Sequence, residues 1–305
     1  MAGVVSKPEI REVIMDFEKY GMMGAGIAAL VLGLLLVRVR FRAASGAERI
    51  VVLGPVFEAV ALAVFGAEHF TAASDLMSIV PRWLPGPLFW TYFVGAAWLA
   101  AAISFICWWL VRWSAPLVAL LFLIIVVTID LPNLPSHIGE RLFWTLTVRE
   151  LSFAGGAMVL AGSVWLRRSL ASNTLIQLGR GIVAATLVFY GIQHFLFPLN
   201  APGVPLEKLT PAWVPFPTVF AFLVGAILVV TGIGLVVRRT TQIAAAIAGI
   251  VLLLLTVFFY VPILALEINT ELAIEGLNYV FDTLLFAATA LLAGFGADRP
   301  IDEKI

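Results

Sequence analysis

Nine stretches of this chain are apolar for long enough to cross about 30 Å of hydrocarbon as helices. They cover residues 20–39, 50–70, 87–111, 115–131, 142–166, 180–198, 216–237, 241–264 and 276–296. With 62% hydrophobic residues, 12% charged residues and a mean hydropathy of +1.04, the chain carries more apolar surface than one water-soluble core could bury. The expected fold class is therefore an all-α polytopic membrane protein with nine transmembrane helices. A formal net charge of zero gives no basis for a nucleic-acid partner. The single cysteine, Cys107, lies in an apolar run, which rules out an internal disulfide and a CxxC dithiol relay.

The spans fall into a leader and two matching sets of four. PRWLPGPLFWTYFVGAAW begins at Pro81 and PAWVPFPTVFAFLVGAIL begins at Pro211, with prolines, a tryptophan, phenylalanines and a glycine at matching offsets. Upstream of these stand FGAEHF, ending at Phe70, and YGIQHF, ending at Phe195, so His69 and His194 occupy matching places. Such self-similarity predicts a tandem duplication. Four spans return a chain to its starting side, so the two bundles are expected to lie parallel in the bilayer. The predicted layout is an N-terminal extracytoplasmic segment with a leader helix (1–49), a first four-helix repeat (50–168), a second (180–297) and a cytoplasmic tail (298–305), with RRSLASNTLIQLGR as a polar loop between the repeats.

Loop charge sets the expected orientation. One side collects Arg38, Arg40, Arg42, Arg49, Arg112, Arg167, Arg168, Arg180, Arg238 and Arg239, and the other Asp75, Asp130, Glu140, Glu207, Glu267, Glu271 and Glu275. The basic side is expected to face the cytoplasm of a bacterial-type inner (plasma) membrane, with the N-terminus outside and the C-terminus inside. Residues 1–19 have the spacing of a short amphipathic helix on the outer surface, and VRVRFR closes the first span as the flank of a retained anchor. The proline-rich connections, including the stretch VPILALEINTELAIEG, fall on the outer side, so a ligand site is expected to open there. Trp83 and Trp213 fit either its rim or an interfacial aromatic belt.

A charge inside a span is expensive and therefore informative. Glu58, Arg149, Glu150 and Asp282 lie six to eight residues inside theirs. Glu58 and His69 are eleven residues apart, nearly on one helical face, and Tyr190 and His194, four apart, share another. Matching the repeats sets Glu68 against Gln193, Glu150 against Asp282 and Arg149 against Phe281. The first half keeps the richer set of proton-exchanging groups. Glu150, His69, Arg149 and Glu58 are the candidate catalytic residues, and His69, His194, Tyr190, Asp282, Trp83 and His137 the candidates for holding a cofactor. Bracing of helices by buried ion pairs is the competing account of the same charges. No metal site is expected, since no close ligand pair exists, and haem between His69 and His194 is disfavoured because no second histidine pair continues an electron path.

These motifs carry a resemblance. A four-helix unit with G-x-x-H closing its first span (Gly66 to His69), His137 just outside its third, and a carboxylate in its fourth followed by LAG (Glu150 to Gly162) resembles the DoxX-like (DoxX/DoxD) membrane protein family. The second unit repeats it with Gly191 to His194, Asp282 and Leu292 to Gly294, so the resemblance covers residues 50–297. Two departures stand out. Ala96, Ala97 and Trp98 occupy the region where such proteins tend to carry an acidic residue, and the second unit has Glu267 and Asn269 but no histidine matching His137. The resemblance implies a redox-associated membrane subunit with an outward-facing pocket for a quinone or other lipid-soluble ligand, contacts with membrane lipid, and other subunits of a membrane complex. Any catalysis would be part of a quinone-linked oxidoreductase, with no covalently bound cofactor. A structural or accessory subunit and a transporter or lipid handler are the alternatives.

Overall fold

In the computed structural model, residues 7–165, 169–204 and 206–296 are described; Arg167, Arg168, the first six residues and the predicted cytoplasmic tail lie outside them. The described residues form nine long helical segments and no strand beyond one bridge between Asn200 and Leu209. They are α1 (Lys7–Ala43), α2 (Gly54–Thr71), α3 (Pro87–Cys107), α4 (Val111–Ile125), α5 (Arg141–Val164), α6 (Leu170–Leu196), α7 (Pro217–Val236), α8 (Thr241–Leu255) and α9 (Ala273–Leu292). Short helical turns extend α4 to His137 and α8 to Glu267.

Seven segments are long and apolar enough to cross a membrane: Met15–Ala43, Glu48–Thr71, Pro87–Cys107, Val111–His137, Leu170–Leu196, Pro217–Val236 and Thr241–Glu267. Their outward faces are strongly apolar, with Leu34, Ile103, Leu117, Val230 and Phe258 among the exposed side chains. A surface of that kind is stable against lipid tails, not against water. The chain is a multi-pass membrane protein.

The other two long helices, α5 and α9, are less apolar and more enclosed. Residues 152–163 of α5 and 282–292 of α9 are buried without interruption. Contacts between neighbouring helices close a ring that passes through both: α2 packs on α3, α3 on α4, α4 on α5, α5 on α6, α6 on α7, α7 on α8, α8 on α9, and α9 returns to α2. Across the middle, α5 meets α9, while α1 lies outside against α2. A helix sheathed by other helices can carry charge where a lipid-facing one cannot, which is why polarity concentrates on α5 and α9.

Local chemistry explains several boundaries. Pro87 and Pro217 sit in the first turns of α3 and α7, where a missing N–H costs nothing. In α4 and α8 the helix widens to a π turn, at Val126–Asp130 and Thr256–Tyr260, immediately before Leu131–Pro132 and Val261–Pro262. Proline removes one helical hydrogen bond and crowds the preceding turn, and a π turn absorbs both defects without ending the helix. Glycines set the closest helix approaches. A Cβ on Gly95 would lie 2.6 Å from the Cβ of His69, and one on Gly225 would lie 3.0 Å from that of His194.

Three expectations about the connections are corrected. The stretch 169–180 is no polar loop: Ser169 caps α6 by accepting the Ser172 N–H at 3.1 Å, and the helix begins at Leu170. The residues expected to form a separate surface helix before the first span run into it as one continuous helix from Lys7. The outer connection expected between the spans 241–264 and 276–296 shrinks to residues 268–272, because helix continues to Glu267 and resumes at Ala273.

Candidate functional site

A cavity of about 920 Å³ opens between α2, α3, α4, α5 and α9, at the end of the bundle where α2 stops and α3 starts. Aromatic and aliphatic side chains make its walls. Trp98 and Phe122 rings lie 4.7 Å apart and Phe122 and Phe153 5.4 Å apart, a cluster of mutually tilted rings contributed by three helices. Pro81, Trp83 and Leu84 of the connection between α2 and α3 frame the mouth. Size and lining are those of a small-molecule site, largely apolar with a few polar groups at fixed positions.

The polar groups gather where α5, α9 and α2 meet. Arg149 donates from Nη2 to Glu150 Oε1 at 2.7 Å and from Nη1 to Asp282 Oδ2, so one guanidinium bridges two helices. Asn278, one turn before Asp282, donates from Nδ2 to Glu68 Oε1 at 3.1 Å. Arg149, Glu150 and Asp282 side chains are each only 11–14% exposed. A guanidinium suits this task because its planar fork offers donors to two carboxylates at once. Yet Arg149 Nε and Asn278 Oδ1 are buried without a hydrogen-bond partner among the described residues. Two carboxylates thus bind the guanidinium, and a third, Glu68, binds the neighbouring amide of Asn278.

His69 lines the same cavity, and its Nδ1 lies 2.7 Å from the Phe65 carbonyl. A carbonyl only accepts, so Nδ1 carries the hydrogen and donates, and Nε2 of the neutral ring is left as an acceptor.

The structure thus brings together five of the predicted residues: His69, Arg149, Glu150, Asp282 and Trp83. It does not bring in the other four. Glu58, 1% exposed, is packed among helices away from the cavity, although the periodicity of α2 placed it on the face of His69; its Oε2 has no partner among the described residues. Eleven residues also part the two by about 16 Å along the axis, and at the level of Glu58 the same stripe meets the helices packed on α2. His137 stacks on Phe143 with ring centres 3.9 Å apart and bonds the Asn133 carbonyl, outside the cavity. Tyr190 and His194 are both 0% exposed and satisfied by their own chain: Tyr190 donates to the Thr145 carbonyl at 2.7 Å, and His194 Nδ1 donates to the Tyr190 carbonyl at 2.6 Å. Glu68 and Asn278 were missed. Asn278 had a legible signal, since it stands four residues before Asp282 on one helical stripe.

Around His194 the second half fills itself. The connection between α6 and α7 folds inward and buries Ala201, Val204 and Leu206 completely. Gly203 donates its N–H to His194 Nε2 at 3.2 Å, Thr283 donates to the Val204 carbonyl at 3.3 Å, and Tyr260 to the Ala201 carbonyl at 3.3 Å. At the rim, Arg141 binds the Leu206 carbonyl at 2.5 Å and Glu207 at 3.0 Å, and Lys208 pairs with Glu267 at 2.5 Å. Burial raises the Glu207 carboxyl above its ordinary value, while Arg141 and the Thr145 hydroxyl pull the other way.

No family model matches the chain, and neither a curated protein nor a solved structure matches it.

Proposed function

We propose that the protein binds a lipid-soluble ligand with a polar ring head, a quinone or quinol, in the cavity of its first half, as a redox-associated subunit of a membrane complex. The observation that carries this reading is the combination in one 920 Å³ cavity of an aromatic cluster, Trp98, Phe122 and Phe153, with a largely buried polar end built from Arg149, Glu150, Asp282 and His69. A flat ring packs on aromatic faces, an isoprenoid tail follows the apolar wall, and head oxygens meet groups able to exchange protons. The chain's own side chains hold no electron carrier, so redox work calls for the diffusible ligand and a partner bearing a cofactor.

The reading includes nine crossings arranged as a leader and two parallel four-helix repeats of DoxX-like type, at 50–168 and 180–297. Matched π turns before Pro132 and Pro262, and the matched close approaches of Gly95 to His69 and Gly225 to His194, support the duplication. The sheathing of α5 and α9 by other helices supports their crossing despite their charges. By the distribution of arginine, the cavity opens outward from a bacterial-type inner membrane, with the N-terminus outside and the C-terminus inside.

Tryptophan fluorescence tests the ligand directly, because Trp83, Trp90 and Trp98 line the cavity and quinones quench indole on contact. Titration of a short-chain quinone into the detergent-solubilised protein is expected to quench saturably, and Val94→Phe, which fills part of the cavity, to weaken that phase. A linear quench identical in Val94→Phe would reduce the signal to partition into the micelle and overturn the proposal.

A further inference from the structure

We infer that His69 Nε2 is a hydrogen-bond acceptor for the bound head group, so that the cavity selects ligands carrying a ring hydroxyl, the quinol form, over ligands that offer only carbonyl or ether oxygens. The inference rests on the proposed quinone-type site and adds its redox-state preference.

Two observations carry it. The first is the tautomer. His69 Nδ1 is committed as a donor to the Phe65 carbonyl at 2.7 Å, which leaves the lone pair of Nε2 in the cavity without a protein partner among the described residues. The second is independent and lies in the other half. His194 makes the same bond to the carbonyl four residues earlier, Tyr190, and there the opposite nitrogen does receive a donor, the Gly203 N–H at 3.2 Å. Where this fold fills the space beside that histidine with its own chain, it supplies an N–H to Nε2. A ligand beside His69 meets the same demand.

The remaining polar inventory points the same way. Each Nη of Arg149 gives one N–H to a carboxylate, Asp282 or Glu150, and the Asn278 amide gives one to Glu68. Asn278 Oδ1, buried without a partner among the described residues, is one more acceptor beside His69 Nε2. A quinone carbonyl set against acceptors leaves their lone pairs unpaired, whereas a quinol hydroxyl satisfies one of them, and a mispaired buried polar group is what discriminates ligands most sharply.

Redox-inert probes separate the claims. Competition by a 4-alkylphenol and by the matching 4-alkylanisole, which differ only in the hydroxyl hydrogen and its methyl replacement, is measured against the quinone quench in the full-length protein. The expected result is at least a tenfold preference for the phenol, falling below threefold in His69→Phe. His69→Gln, which restores an acceptor oxygen, is expected to recover part of the preference and serves where His69→Phe does not accumulate. Equal competition by the two probes overturns the inference and leaves the quinone-type site standing, whereas competition by neither overturns the site itself. A phenol preference that persists in both variants assigns the acceptor to another group and overturns the role of His69.

Discussion

The two halves of this molecule share a helical framework and differ in what stands inside it. In each, a histidine near the end of the first helix bonds the carbonyl one turn back and rests against a glycine of the next helix. In the second half, the connection spanning 197–216 folds in, and its backbone answers His194, Thr283 and Tyr260. In the first, the shorter connection spanning 72–86 stays at the rim and the cavity persists beneath it. The framework therefore does not decide whether a site exists. The loop does, and the charged cluster sits on the side that the loop leaves open.

Removing the charge that distinguishes the halves should have the largest effect. Arg149 holds Glu150 and Asp282, and under the proposed duplication its matching position is Phe281. Taking one partner from a buried ion pair costs about 3–5 kcal/mol because the other is left desolvated and uncompensated. Arg149→Met is expected to destabilise the solubilised protein by that order, and Arg149→Met with Glu150→Gln and Asp282→Asn to regain most of it. A melting temperature unchanged in the single variant would mean that the carboxylates reach water and that the ionic end of the cavity is not sealed.

Opening the filled half is the next test. A Cβ on Gly203 would lie 2.7 Å from the Tyr260 ring, and the residue sits at φ +133, where side chains are strained. Overpacking of this kind costs about 1–3 kcal/mol. Gly203→Val is expected to expel the loop, seen as faster hydrogen exchange at residues 198–210, and to add a second phase to the quinone titration. Loop release with no second phase would show that the acidic cluster, absent from that side, is what makes a binding site.

Much of this was legible in the sequence, and the failures have physical causes. Seven span positions followed from apolar length, and the meeting of His69, Arg149, Glu150 and Asp282 followed from reading charges inside helices as informative. Glu58 failed because helical phase sets direction and not company: the same stripe of α2 faces the cavity at His69 and packed protein at Glu58. The helical start at Leu170 was hidden because serine and asparagine read as loop formers, yet serine is also the residue that caps a helix. The inward fold of the second connection could not be read at all. Its proline and glycine content matches that of an exposed loop, and only the three-dimensional position of His194 and Tyr260 shows that its backbone donors and acceptors are satisfied inside.

The smallest expected effect concerns how firmly that loop is held. Glu207 anchors its outer end against Arg141, and burial raises its carboxyl from the ordinary 4.5 more than Arg141 and Thr145 lower it. A group whose folded value lies above its unfolded one contributes most below the unfolded value, near 4.5, and loses that contribution as pH rises through the folded value. Exchange at residues 198–210 is thus expected to slow as pH falls from neutrality toward that range, after correction for intrinsic chemistry, and Glu207→Gln should flatten the dependence. The first-half connection, which has no such carboxyl-to-arginine anchor among its described contacts, should show no matching slope. A slope of opposite sign in the native protein would mean that attraction to Arg141 outweighs desolvation, making the loop a clamp that tightens on ionisation and loosens in acid.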